Sequence, residues 1–234
     1  MQVVSLYDHS TISLIPWAKR GYKCFAYDIK HPDREVETNN ITKVRADLHD
    51  ERSLSEIIAR HKDNVYFMCA FPVCTDLAVS GAPNFKNKFE KDPLFQKVAA
   101  AHAVNCESIA LSMGCRRFYI ENPVSMLSTL WRKPDYHFHP YQFGGYVEDG
   151  PHPLYPEYIP PNDAYSKKTC LWCGTDFVFP QIKPVQPISI KYNNKNYSTI
   201  HGKLGGTSRK TKEIRSCTPR GFSEAVYLSN QPSV

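Results

Sequence analysis

The first half of the chain alternates runs suited to buried strands with runs suited to helices, and this alternation restricts the fold more than any other feature. VVSLYD (3–8) reads as a strand and LIPWAKRGY (14–22) as a short helix. KCFAYDI (23–29) reads as a second strand, TKVRADL (42–48) as a third, and SLSEIIARHK (53–62) as an amphipathic helix. NVYFMCAFP (64–72) is a fourth strand. A helical pattern then runs from about Asp92 to Met113, with Phe95, Val98, Ala99, Ala103, Ile109 and Ala110 on its apolar side and Gly114 ending it. CRRFYIENP (115–123) is a fifth strand. Strands that alternate with helices imply a mostly parallel, doubly wound sheet covered on both faces, with right-handed crossovers. The expected fold class is therefore α/β.

Such sheets bind ligands beyond the carboxyl ends of their strands. The five runs end at Asp8, at Asp28, at Asp47, at Pro72-Val73-Cys74 and at Glu121-Asn122-Pro123. Asp and Asn favour turns, which accounts for one or two of these positions; five on one edge read as a site. A thiol and a carboxylate on neighbouring strand ends suit covalent catalysis on an electron-poor ring. The thiolate adds to a carbon, and the acid holds and protonates the adjacent ring nitrogen. Cys74 by itself leaves two readings open, an inert packing thiol at a strand exit or a nucleophile held in a loop.

Composition shifts after Pro123. From about 130 to 206 the chain is rich in Pro, Tyr, His, Gly and Lys and shows no sustained helical period, which predicts a small irregular lobe with short strands at SIKYNN and NYSTIHG. Its interleaved aromatic and basic residues suit stacking on bases and contacting phosphates; tyrosines packed on one another are the alternative. SRKTKEIR (208–215) reads as a phosphate-contacting loop or as a solvated charge run. TPRGFSEAVYLSN (218–230) reads as a helix capped by Thr218 with Pro219 in its first turn. The expected division is a core over 1–129, a lobe over 130–206 and a segment over 207–234 that returns to the core. Cys170-x-x-Cys173, with His137, His139 and His152 nearby, has two zinc-type ligands, but no second pair has zinc spacing. The surrounding Leu-Trp points to a buried strand, and no metal is expected.

The formal net charge of +6 fits a polyanionic partner. No run of 18 apolar residues is present and the N-terminus lacks a secretory pattern. Cys24, Cys69 and Cys106 lie in apolar runs, so reduced thiols in a cytoplasmic protein are expected.

Several pieces, in order, resemble the cytosine-C5 DNA methyltransferases, in the short form common among bacteriophages. SLYDHS with PWAKRGY and FAYDI is similar to the family's cofactor-binding start, and RADL to its third cofactor motif. FPVCTDLAVSG resembles the Pro-Pro-Cys loop, and ENP the Glu-Asn motif. KKTCLW and GGTSRKTKEIRSCTPRGF resemble segments of phage members. The resemblance implies a Rossmann-like fold of the S-adenosylmethionine-dependent methyltransferase type and that methyl donor as cofactor. It implies double-stranded DNA as partner, with the target cytosine flipped out, and residence in the cytoplasm of a bacterial host cell. Carried over, Cys74 would attack C6 of cytosine and Glu121 would hold its N3 and N4 edge. Tyr7, Asp8, Asp28, Asp47 and Pro72 would line the cofactor pocket. Asn122, Arg209, Lys210 and Lys212 would meet the substrate. The chain departs from the family in three places. The first loop, DHSTIS, has no glycine; Val73 stands where the motif has proline; and no Gln-x-Arg follows Glu121, leaving Lys168, next to Lys167, as the nearest basic candidate. Two other functions stay open, modification of a free pyrimidine nucleotide and a non-catalytic binding role.

Overall fold

A computed structural model describes residues 1–148, 150–204 and 208–232. They form two units, Met1–His137 with Thr169–Phe177, and Phe138–Lys168 with Val178–Val234.

In chain order the first unit contains β1 (Gln2–Leu6), α1 (Ile15–Lys19), β2 (Lys23–Tyr27), β3 (Val36–Thr38), β4 (Ile41–Val44), α2 (Glu51–His61) and β5 (Val65–Ala70). It continues through α3 (Phe85–Lys91), α4 (Phe95–Ser112), β6 (Phe118–Pro123), α5 (Leu127–Leu130), β7 (Tyr136–Phe138) and β8 (Thr169–Cys173). One sheet orders the strands β3-β4-β2-β1-β5-β6-β8-β7. β4, β2, β1, β5 and β6 are all parallel to their neighbours in this series. β3 is antiparallel to β4, and β8 to β6. The chain winds outward from β1 through β2 and β4, then crosses back to β5 and β6, so the strand order reverses beside β1. This is the doubly wound, Rossmann-like α/β arrangement expected from the alternation.

Strand alternation gives each face its own core. Val4, Leu6, Met68, Ala70, Phe118 and Ile120 share one buried cluster with Leu54 and Ile57 of α2 and with the α4 stripe of Ala103, Cys106, Ile109 and Ala110. Their neighbours Val3, Phe67 and Tyr119 are also buried and face the other way. Trp17 of α1 stacks on Phe67 with ring centroids 4.8 Å apart, and Phe177 packs 5.8 Å from Tyr119. Asp50 caps α2 by accepting from Ser53 N at 2.8 Å.

In the first unit β3, α3 and the end of β4 differ from the sequence reading. The edge strand β3 was not expected; its burial pattern has no alternation to show. α3 and the 3₁₀ turn before it (Val79–Asn84) bury no residue, so they carry no apolar period. β4 ends at Val44, which leaves Asp47 in the turn leading to α2 and not at a strand end.

In the second unit β9 (Ser189–Tyr192) and β10 (Lys195–Ser198) form a hairpin, followed by α6 (Thr199–Lys203), α7 (Arg209–Ser216) and α8 (Arg220–Asn230). The run 208–215 is thus a helix and not a loop. Ser208 caps it by accepting from Thr211 N at 3.1 Å, Thr211 and Ile214 are buried three residues apart, and Arg209 pairs with Glu213 one turn on. The last helix starts at Arg220 with Pro219 at the cap position, where the Pro219 carbonyl accepts from Ser223 N at 3.0 Å; Thr218 is buried and does not cap. Among the described residues no helix is long and apolar enough to cross a membrane.

The alanine stripe of α4 lets that helix approach the sheet closely. Ala103 is fully buried, whereas Ala101 is exposed. Ala103→Leu is expected to lower unfolding stability by about 1–3 kcal/mol through overpacking, read as a shift in the urea midpoint. Ala101→Leu is expected to stay within about 0.5 kcal/mol.

Candidate functional site

The parallel pairing brings the exits of β1, β2, β4, β5 and β6 to one edge. Every sequence-predicted residue from Tyr7 to Asn122 belongs to this first unit. Lys168, Arg209, Lys210 and Lys212 belong to the second.

At the β1 exit, Tyr7 and Thr11 both adopt left-handed backbone, with φ of 58° and 61°. These are the positions of a loop without glycine, and a β-branched Thr is strained there. Asp8 holds the loop in this shape. Its carboxylate is 3% exposed and accepts from Thr11 N at 2.8 Å, from Ser10 Oγ at 3.1 Å and from Ser13 Oγ. Burial raises its pKa, against the lowering by these donors. The Asp8 carboxylate is therefore turned into its own loop. Tyr7 donates from its hydroxyl to Leu48 O at 3.2 Å and so ties the β1 exit to the turn after β4. Burial, then Cys106 and Asp47, raise the phenol pKa.

At the β2 exit, Asp28 accepts from Lys30 N through Oδ1 at 2.8 Å, an Asx turn that fixes the carboxylate at the strand end. Asp47 is exposed and accepts from His49 N at 2.9 Å. That contact seats His49 beside Tyr7, with ring centroids 5.9 Å apart, and face to face with His102 of α4 at 3.6 Å and 8°. His49 and His102 were not singled out from the sequence. They lie far apart in the chain and share no motif, so only the α4 packing unites them. With Val73, Asp76, Phe95 and Val98 they line a hollow of about 290 Å³. Burial, then His49, lowers the His102 pKa, while Asp47 raises it.

The β5 and β6 exits are bound to each other. Ala70 pairs with Ile120, so Glu121 stands one residue, and Cys74 four residues, beyond the same rung. Asn122, 1% exposed, donates from Nδ2 to Pro72 O at 3.1 Å. Past Pro72 the chain turns on Cys74, whose carbonyl accepts from Leu77 N at 3.0 Å and Ala78 N at 2.8 Å. Val79 N donates to Val124 O at 3.1 Å and Met126 N to Leu77 O at 2.9 Å, which stitches the Cys74 turn to the chain after β6. Cys74 is partly exposed, unlike Cys24, Cys69, Cys106, Cys115, Cys170 and Cys217, which are buried. Asp76 continues outward: its carboxylate accepts from Lys88 Nζ of α3 at 2.5 Å, and its carbonyl from Gln96 Nε2 of α4 at 3.3 Å.

Cys170 and Cys173 lie three apart on β8, which sends them to opposite faces. Among the described residues no group of three His, Cys, Asp or Glu could hold a metal ion. In the second unit, Lys168 is exposed and its charge, after burial, lowers the His139 pKa. Arg209, Lys210 and Lys212 are exposed on α7. Lys210 Nζ stands 5.0 Å over the Tyr158 ring.

No family model matches the chain, and no curated protein does. Among solved structures it is similar to a provisionally assigned DNA modification methyltransferase encoded within an E. coli prophage. The identity is 11% and the TM-score 0.44, over 80% of this chain and 53% of that one. The chain thus spans about half the length of that structure.

The Asp8 linkage has a defined sign. Its pKa in the fold is raised above the unfolded value, so its contribution to stability is fully present below the unfolded pKa of about 3.9 and is lost as pH rises through the folded value. Asp8→Asn keeps the shape and removes the titration. Wild-type stability minus that of Asp8→Asn is expected to fall across this window in pH-dependent denaturation, the reverse of an acid held in an ion pair. Asp8→Ala, which leaves Thr11 N–H and the Ser13 hydroxyl without their acceptor, is expected to cost about 2–4 kcal/mol.

Proposed function

We propose that the chain is a DNA cytosine-C5 methyltransferase that uses S-adenosylmethionine and forms a covalent adduct through Cys74. The observation that carries this reading is the bond from Asn122 Nδ2 to Pro72 O. It ties the loop of a partly exposed thiol to the strand exit that bears Glu121. A thiolate nucleophile and an acid for the ring nitrogen need this kind of fixed juxtaposition.

The residues at the first three exits suit the cofactor. Asp28 offers a carboxylate held at the β2 exit for a ribose diol, as acids there do in nucleotide-binding sheets. The His49–His102 stack lines a hollow that suits a planar base, with Tyr7 beside His49 and Asp47 accepting from its amide. Asp8 shapes the loop and does not bind. When bound, S-adenosylmethionine supplies an electrophilic methyl group. Cys74 adds to C6 of a cytosine taken out of the stack, which moves electron density onto C5. Glu121 holds the N3 and N4 edge, gives N3 a proton as the thiolate adds, and takes it back on release. Once C5 carries the methyl group, loss of the C5 proton would expel the thiolate and restore the ring. The second unit contributes Lys168, Arg209, Lys210 and Lys212 as contacts to the DNA.

Incubation with labelled S-adenosylmethionine and either duplex DNA or dCMP tests the reading. Label in DNA is expected. Cys74→Ala is expected to abolish it and Glu121→Gln to slow it by about 10²-fold or more. Label in dCMP alone would transfer the mechanism to a free nucleotide. Label in neither would leave no enzyme to explain.

A further inference from the structure

The positive charge of the chain is concentrated in one stretch. Residues 177–212 contain seven Lys and Arg and no Asp or Glu, more than the whole formal net charge of +6. The β9–β10 hairpin stands in the middle of this stretch. Its turn residues Asn193 and Asn194 both have positive φ, 46° and 57°, as a two-residue type I′ turn requires, and Asn is well suited to that backbone. Both tip side chains are exposed.

The two faces of the hairpin differ. A Cβ added at Gly202 of α6 would lie 3.3 Å from Ile190 and 3.7 Å from Tyr197, so the cross-strand pair Ile190–Tyr197 faces α6. Strand alternation turns the next pair, Lys191 and Asn196, to the opposite face, and both are exposed. Away from α6 the hairpin exposes Ser189, Lys191, Asn196 and the tip residues Asn193 and Asn194, with no acid among them. Tyr197, on the other face, is 39% exposed. A protein partner with an apolar centre would find little to bury on the polar face.

We infer that the β9–β10 hairpin is a ribbon that enters the major groove of duplex DNA, with Lys191 on a phosphate and Asn193, Asn194 and Asn196 reading base edges. A major groove about 12 Å wide admits a two-stranded ribbon, and Asn pairs in bidentate fashion with adenine N6 and N7. The acid-free stretch around the ribbon supplies the sequence-independent attraction. This assignment rests on the reading of DNA as substrate and names the element that selects the site.

Binding of the full chain to a random-sequence duplex pool, followed by sequencing of the retained DNA, tests it. Lys191→Ala is expected to weaken binding to every sequence and to reduce the slope of log K against log salt by about 0.9, with Lys191→Arg restoring it. The double change Asn193→Asp with Asn194→Gly keeps a type I′ turn while removing the tip amides. With Asn196→Ala, it is expected to relax the selected sequence by on the order of tenfold at one or two positions. Circular dichroism checks that each variant folds. Unchanged slope and unchanged selected sequence would overturn the inference even if methyl transfer to DNA is observed. Loss of selection in the ribbon variants would uphold it even if no methyl transfer occurs. Absence of duplex binding by the wild type, or self-association of the chain that the ribbon variants abolish in sedimentation, would also overturn it.

Discussion

Parallel pairing of β1 with β2 on one side and β5 on the other is the constraint on which the rest of the first unit depends. Because β1 is central and the flanking strands run the same way, their exits converge on one edge. Reversing any one strand would carry its exit residue to the far edge. Antiparallel neighbours are confined to the margins, where β3 and β8 contribute no predicted site residue. The two faces are closed by different helices: α2 and α4 cover a cluster of aliphatic residues with Tyr27, Phe118 and Trp172, and Trp17 of α1 stacks on Phe67 on the other face. With both faces covered, the edge is where polar groups can gather.

The two loops at the candidate site are held by local hydrogen bonds. Left-handed Tyr7 and Thr11 are costly conformations for non-glycine residues. The buried Asp8 carboxylate offsets that cost by accepting from three donors in one loop. At the β5 exit Val73, after Pro72, is exposed. The backbone there is restrained by Asn122 on Pro72 and by the two amides on the Cys74 carbonyl. Both loops are ordered by hydrogen bonding at positions where residue type alone would not order them.

How much of this was legible in the sequence follows from burial. β1, β2, β5 and β6 show as apolar runs because both their faces are covered, and the residues at their exits follow directly; β4 buries only Ile41 and ends before the run does, so Asp47 falls in a turn. The strand at Thr169–Cys173 showed itself in the same way, through Leu171 and Trp172. β3 and α3 could not be read, since a segment without buried residues carries no period. α7 was hidden because only Thr211 and Ile214 face inward among its charges. The inward turn of Asp8 and the stacking of His49 on His102 depend on tertiary contacts and left no local signal. The two short strands of the hairpin were legible but not their bounds: Asn193 and Asn194 form the turn, and residues 199–202, read as strand, belong to α6. The distinct open face of that hairpin required α6 to be placed behind it.

The central claim is that Cys74 is the nucleophile toward a flipped cytosine. It is tested most directly with duplex DNA carrying 5-fluorocytosine, in the presence of S-adenosylmethionine. Fluorine at C5 cannot leave as a proton does, so an adduct formed there persists. The account predicts a covalent protein–DNA species whose digest places the base on the Cys74 peptide, absent from Cys74→Ala. A protein that binds this DNA without an adduct, or with an adduct on another cysteine, would contradict it.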